Sequence, residues 1–147
     1  MTTSEIALLD TNILVYAADT TAEFHHPARE LRDRGIHGEL PLAASPQVFT
    51  EFFAVITNPR RVQQPRSPEE AREEIAKYVR SAIRKIYPGT DILDRVLTLL
   101  EEHPEISRQD IFDLFLVATM LTNSVTRIYT YNQEHFTRYP ELTVLTP

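Results

Sequence analysis

Short apolar runs alternate with longer segments of helical spacing along this chain, and that alternation most restricts the fold. The run from Ile6 to Asp10 is brief and continuous, as in a parallel strand covered on both faces. Further strands are predicted over residues 39–44, 127–131 and 142–145, with Pro41 favouring an edge position or a strand start. Strands interleaved with helices predict a parallel sheet with helices on both faces.

The predicted helices carry recognisable start and stop signals. A helix over 27–35 would be closed by Gly35. Ser45 followed by proline predicts the N-terminus of a helix that ends near Asn58, and Ser67 followed by proline predicts another helix to about Ile86. Two more helices are predicted, one from Thr90 or Asp91 through Leu100 and one from Asp110 to Asn123.

The length and composition favour one compact unit inside the cell. A chain of 147 residues with 42% hydrophobic residues can bury one core, so we expect a single domain over 1–147. The absence of cysteine excludes disulfides and thiolate metal sites. No apolar run is long enough to span a bilayer, and Met1 to Glu5 lack the basic start of a signal peptide. We therefore expect a soluble, cytoplasmic protein without a membrane segment.

Several common catalytic motifs are missing. The three glycines, Gly35, Gly38 and Gly89, belong to no phosphate-binding or dinucleotide-binding loop. No serine stands in G-x-S-x-G, and no histidine pair has the H-E-x-x-H spacing. Nucleotide-loop enzymes, the usual serine hydrolases and zincins are therefore excluded.

The net charge of −6 argues against a broad basic surface for nucleic acid, although local basic residues remain compatible with a nuclease. Two basic clusters occur, and each alone is better interpreted as a solvated face than as a binding patch. The clusters are Arg60, Arg61 and Arg66, and Arg80, Arg84 and Lys85.

Three acidic residues occupy unusual positions. Asp10 follows the first strand, at the sheet edge where open α/β folds bind ligands, although a helix N-cap is an equally good interpretation. Glu51 shares a helix face with Val48 and Val55. Asp113 interrupts a helix that is apolar around most of its circumference, where an ionised carboxylate is costly unless paired or metal-bound.

For each acid alone, a salt bridge to an arginine explains its position as well as a ligand role does. Three such acids together favour one shared site, because clustered carboxylates stay ionised only if a cation compensates them. Oxygen ligands select Mg²⁺ or Mn²⁺, and such ions activate the water that attacks a phosphodiester. The residues therefore favour a metal-dependent phosphodiesterase over other enzymes.

Several segments of the chain form an ordered set of motifs. The set begins with L-L-D-T-N-I-L over Leu8 to Leu14 and continues with two acidic segments, Thr50 to Pro59 and Phe112 to Thr119. It ends with the segments Tyr129 to Phe136 and Leu142 to Pro147. Together these motifs resemble the opening motif, the acidic helices and the last strands of the PIN-domain nucleases, particularly the VapC-type toxins. The resemblance covers essentially the whole chain, with the motifs in the expected order.

The resemblance implies a three-layer α/β/α fold, dependence on Mg²⁺ or Mn²⁺, and endonucleolytic cleavage of RNA. It also implies a cognate antitoxin protein as inhibitor and a homodimer. Asp10, Glu51 and Asp113 map onto the acidic core of the family, and Thr11 and Asn12 would support the first acid.

One departure from the family pattern concerns the last motif. Many relatives carry a further acid there, where this chain has Asn132, or three residues later, where it has His135. Either residue is a candidate substitute, although a surface histidine is the simpler interpretation of His135. Asp110, three residues before Asp113, is a candidate supporting ligand or a helix N-cap.

Two other functions remain open at this point. The missing fourth acid would suit a PIN-like binding or regulatory module that has lost catalysis. A phosphoacceptor signalling domain also gathers acids at strand ends, but it needs a late active-site lysine. The two lysines, Lys77 and Lys85, fall within the helix predicted from Ser67 to about Ile86, which argues against that alternative.

Overall fold

The computed structural model describes residues 5–147. Residues 1–4, on which the expectation about a signal peptide rests, lie outside this range. The strands are β1 (Ala7–Leu9), β2 (Leu42–Ala44), β3 (Arg84–Lys85), β4 (Arg127–Tyr129) and β5 (Thr143–Leu145). The helices are α1 (Thr11–Ala18), α2 (His25–Ile36), α3 (Pro46–Ile56), α4 (Pro68–Arg80), α5 (Ile92–Glu102) and α6 (Asp110–Thr122), and a short 3₁₀ turn covers Gln133–His135.

The strands form one parallel sheet in the order β3-β2-β1-β4-β5. Ala7 in β1 pairs with Leu42 on one side and with Arg127 on the other. The chain first builds outward from β1 through β2 to β3 and then returns to the other side for β4 and β5. The strand order therefore reverses between β1 and β4, and crevices at such a switch point are where parallel sheets bind ligands.

Helices cover the sheet in two groups. Helix α1 packs against α2 and α3, α3 also packs against α4, and α5 packs against α6. The central strand is inaccessible to solvent at Leu8 and Leu9, as is Leu114 on α6. This arrangement confirms the three-layer α/β/α fold. Within residues 5–147, no helix combines the length and the apolar character needed to cross a membrane.

The capping signals that were visible in the sequence form as predicted. The Ser45 side chain accepts a hydrogen bond from the Val48 amide at 3.4 Å, with Pro46 in the first turn. Ser67 accepts from the Glu70 amide at 3.1 Å, and the Glu70 carboxylate accepts from the Ser67 amide at 2.9 Å. This reciprocal capping box fixes the start of α4.

The predicted helix from Ser67 to Ile86 is too long, because α4 ends at Arg80. The backbone becomes extended at Ser81, and Arg84 and Lys85 then pair with β2 as a parallel edge strand. Ile83 and Ile86 have helical spacing, but both are buried by this pairing. Lys85 therefore lies in a strand, where its Nζ donates to two backbone carbonyls, at Ser81 and Ile83.

Two further features of the fold differ from the sequence prediction. The sequence indicates helix α1 only through the capping interpretation of Asp10, and the helix is present. Gly35 does not close α2, because it lies inside the helix and is buried. The left-handed backbone conformation occurs instead at Gly38, with φ of 76°. Other element ends differ from prediction by up to three residues, the largest difference being at β2, which begins at Leu42 and not at residue 39.

Candidate functional site

The site lies at the carboxyl edge of the sheet, beside the switch point. Asp10 immediately follows β1, and its amide donates to the Tyr129 carbonyl of β4 at 3.0 Å. Thr130 follows β4 and is fully buried. Because β1 and β4 are neighbours, residues far apart in sequence meet at this edge.

Asp10 is held from three directions. Its Oδ1 accepts from the Thr11 amide at 2.8 Å, so the carboxylate caps α1. Its Oδ2 accepts from the Thr130 hydroxyl at 2.7 Å and from the Asn12 amide at 3.3 Å. Burial nevertheless raises the pKa of Asp10 from 3.8 to about 6, against the lowering effect of the Thr130 and Thr11 hydrogen bonds. The charges of Asp113 and Glu51 raise this pKa further.

Glu51 on α3 connects the helices around the site. Its Oε2 accepts from the Thr11 hydroxyl at 2.9 Å, and its Oε1 accepts from the Gln47 amide at 3.1 Å. Gln47 also donates to the carbonyl of Phe112 on α6 at 2.9 Å. The Glu51 carboxylate is therefore oriented by both α1 and α3, and α3 is linked to α6.

Asp113 lies in the first turn of α6, where its carboxylate contacts His135. The His135 Nδ1 is 3.0 Å from Asp113 Oδ2, and both side chains are partly exposed. Burial raises the pKa of Asp113, and the His135 contact opposes that shift. The 3₁₀ turn after β4 therefore directs His135 toward Asp113, although its side chain is exposed, as the interpretation as a surface histidine expects.

Most of the residues singled out in the sequence line one cleft of about 770 Å³. These are Asp10, Thr11, Asn12, Glu51, Asp113, Asn132 and His135. Asp110 does not line the cleft, and its nearest cation is Arg138, with Oδ2 at 3.9 Å from Nη1. The N-cap interpretation of Asp110 is also wrong, because Gln109 occupies that position and no side chain caps α6.

The chemistry of the cleft fits a hard divalent cation. Its acidic groups offer carboxylate oxygens, which Mg²⁺ and Mn²⁺ prefer. Burial is the main reason that the pKa of Asp10 is raised, and the charges of Asp113 and Glu51 raise it further, so a bound cation would favour the ionised form of this carboxylate. In the described part of the chain, however, no three acidic or histidine side chains lie close enough together to coordinate one metal ion as they stand. The donors therefore share a cleft without being arranged around a single point.

Sequence reasoning missed two residues that shape the site. Thr130 donates to Asp10, and it also accepts from the Asn132 amide at 2.9 Å. A threonine between two tyrosines at a strand end was the available signal. Gln47 lies four residues before Glu51, the helical spacing at which side chains meet, so this contact was open to prediction.

Comparisons with known proteins relate the chain to others by sequence. Residues 7–142 match the family model of the PIN domain. The chain is 29% identical over 119 residues to a Mycobacterium tuberculosis protein named Ribonuclease VapC43, with 80% of each chain covered.

Solved structures share the fold at lower sequence identity. The Mycobacterium tuberculosis toxin VapC20, described as cleaving the sarcin-ricin loop, aligns with a TM-score of 0.70 at 15% identity over 97% of this chain and 99% of its own. A chain from a toxin-antitoxin complex of Klebsiella pneumoniae aligns with a TM-score of 0.62 at 22% identity, covering 96% and 97%. The described architecture is therefore shared almost end to end with these proteins.

Proposed function

The chain belongs to the PIN-domain family, and from that premise we propose that it is a metal-dependent endoribonuclease acting as the toxin of a toxin-antitoxin pair. The observation that carries the proposal is the cleft at the switch point, which Asp10, Glu51 and Asp113 all line. The relative named a ribonuclease supports RNA as the substrate.

In the proposed mechanism, Asp10, Glu51 and Asp113 would hold Mg²⁺ or Mn²⁺. Such an ion would polarise the phosphodiester and activate a water for hydrolysis. Thr130 and Asn12 orient the Asp10 carboxylate through their hydrogen bonds, and Thr11 orients that of Glu51. These contacts limit the rotation of the carboxylates and so reduce the reorganisation needed when substrate binds.

The test is cleavage of unstructured and structured RNA by antitoxin-free protein, with Mn²⁺ or with chelator. We expect cleavage only with metal, and loss of cleavage in Asp113→Asn, which keeps the shape of the side chain and removes its charge. Asp94→Asn, on the exposed face of α5, is the matched control and should cleave normally. Cleavage by Asp113→Asn at the wild-type rate would overturn the site assignment, and no cleavage by any protein would favour the inactive binding module.

A cognate antitoxin is the proposed protein partner. The structural relative from a toxin-antitoxin complex supports it, as does an acidic cleft to which a partner can present an arginine or lysine. Expression of the wild type alone should arrest growth, whereas Asp10→Asn should not and Asp94→Asn should. Harmless expression of all three proteins at equal levels would contradict the toxin assignment.

The homodimer implied by the family resemblance is also a proposal. Helix α5 exposes Leu93 and Leu97, at 67% and 64% of their maximal accessibility and four residues apart on one face. Burial of such a pair would favour self-association. Sedimentation should give a dimer for the wild type and a monomer for Leu97→Glu. Dimers of equal stability for both proteins would exclude the α5 face as the interface, and a monomeric wild type would exclude the homodimer.

A further inference from the structure

Arg61 lies in the wall of the acidic cleft. Of the described residues that line this cleft, it is the sole arginine or lysine. The other basic group there is His135, which is engaged with Asp113. The cleft thus presents three carboxylates and one permanent cation, and Arg61 attracts an RNA backbone whether or not a metal ion is bound at the acids.

The backbone of Arg61 is fixed by the turn that follows α3. The amides of Arg61 and Val62 both donate to the Asn58 carbonyl, at 2.9 and 3.2 Å. The Asn58 side chain accepts from the Arg60 amide at 2.9 Å, and Val62 is buried in the core. The turn therefore holds the Cα of Arg61 at the rim of the cleft, and only its side chain needs ordering on binding.

The guanidinium of Arg61 has no hydrogen-bond or ion-pair partner within residues 5–147. Arg66, a few residues later, is different, because it donates to the Ala18 carbonyl at 2.7 Å and lies 3.9 Å from Glu74. Although Arg61 shares the cleft with the acids, it forms no ion pair with any of them. The Arg61 charge is therefore not neutralised by the carboxylates and can pair with a phosphate.

We propose that Arg61 binds an RNA backbone phosphate next to the one that is cut, and so positions the strand across the acids. A guanidinium presents paired N–H donors that match two phosphate oxygens. The carboxylates cannot themselves bind a phosphate, so Arg61 is the side chain in the cleft that can hold the backbone beside the scissile group. This inference rests on the proposed nuclease function and assigns the substrate contact that the acids do not provide.

Arg60 is a matched control, because it belongs to the same turn, is exposed and does not line the cleft. Kinetics of cleavage of a short unstructured RNA with Mn²⁺ should be compared for wild type, Arg61→Ala, Arg61→Lys and Arg60→Ala. An anchor that binds ground state and transition state alike changes KM and not kcat. We expect Arg61→Ala to raise KM by about five- to tenfold, Arg61→Lys to recover part of that loss, and Arg60→Ala to match the wild type.

A second readout does not depend on cleavage. Binding of the same labelled RNA in chelator, measured over a range of KCl, should show a salt slope smaller by about 0.7 for Arg61→Ala, as for the loss of one phosphate contact to a single strand. Equal KM and equal slopes for Arg61→Ala and Arg60→Ala in a wild type that cleaves would overturn the inference alone. A fall in kcat without a change in KM would overturn the neighbouring-phosphate role. A wild type that neither binds nor cleaves RNA would overturn both the inference and the proposed function.

Discussion

The carboxylate of Asp10 serves two purposes. One oxygen caps α1 through the Thr11 amide, and the other is held by Thr130 while it lines the cleft. The sequence left two interpretations of Asp10 equally open, a helix cap and a site residue. The geometry allows both at once. A substitution at this position acts on the fold and on the cleft together, so its effect on stability must be measured beside its effect on cleavage.

The titration of Asp10 should be visible in the stability of the metal-free protein. Its folded pKa of about 6 lies above the ordinary 3.8, so its stabilising contribution is complete below pH 4 and is lost as the pH rises through 6. Relative to Asp10→Asn, the wild type should lose about 2 kcal/mol of unfolding free energy between pH 4.5 and 7.5 in chelator. Urea denaturation of both proteins measures this; a pH-independent difference would contradict the raised pKa.

Asn132 and His135 stand where many relatives carry a further acid, and both can be tested by substitution with aspartate. Asn132 and His135 line the cleft but bring no negative charge to it. At least one of Asn132→Asp and His135→Asp should therefore reach half-maximal cleavage at lower Mn²⁺, by about tenfold. Gln133→Asp is the matched control, because Gln133 lies between them and is not part of the lining. An unchanged Mn²⁺ requirement in both variants would place these positions outside the metal shell.

At the scale of elements, the contact between α2 and the edge of the sheet depends on Gly35. A Cβ added there would lie 2.5 Å from Leu42 Cδ1 and 3.3 Å from Ile83 Cγ1, both in buried side chains. Gly35→Ala should cost about 1–3 kcal/mol of stability through overpacking, despite the better helix propensity of alanine. Gly89→Ala in an exposed loop should be nearly neutral. Thermal unfolding of the two variants measures these effects. Equal unfolding midpoints for Gly35→Ala and Gly89→Ala would show that the Leu42 and Ile83 side chains can move to accommodate the added methyl group.

Elements with local signals were the ones that the sequence could predict. The serine caps of α3 and α4 and the apolar run of β1 each depend on a few adjacent residues, and all three formed as expected. Strand β3 has no such signal, because its two residues become a strand only when β2 lies beside them. Its isoleucines also have helical spacing, which explains why α4 was predicted to continue.

The same limit applies to the candidate site. That Asp10, Glu51 and Asp113 share a cleft was predictable, because each acid lies at a strand end or on an apolar helix face, where a carboxylate is unusual. The contact between His135 and Asp113 requires the 3₁₀ turn after β4 to meet the start of α6, which no local pattern encodes. Likewise, the availability of Arg61 depends on the turn at Asn58, whereas its sequence neighbours indicate only a basic loop.

At the scale of the whole molecule, the strand order explains why the site exists. Reversal of the order between β1 and β4 leaves a crevice at the carboxyl edge, where Asp10 lines the cleft and the buried Thr130 holds the Asp10 carboxylate by a hydrogen bond. Helices α3 and α6 then bring Glu51 and Asp113 to the same opening. We propose that these three carboxylates form one divalent-metal site.

Calorimetric titration of the purified protein with Mn²⁺ tests that claim most directly. The wild type and Asp94→Asn should bind the ion with the same affinity and release protons at pH 6, because the metal displaces the proton from Asp10. Asp10→Asn, Glu51→Gln and Asp113→Asn should each bind at least about tenfold more weakly. A wild type that takes up no Mn²⁺, or three variants that bind it as tightly as the wild type, would contradict the account.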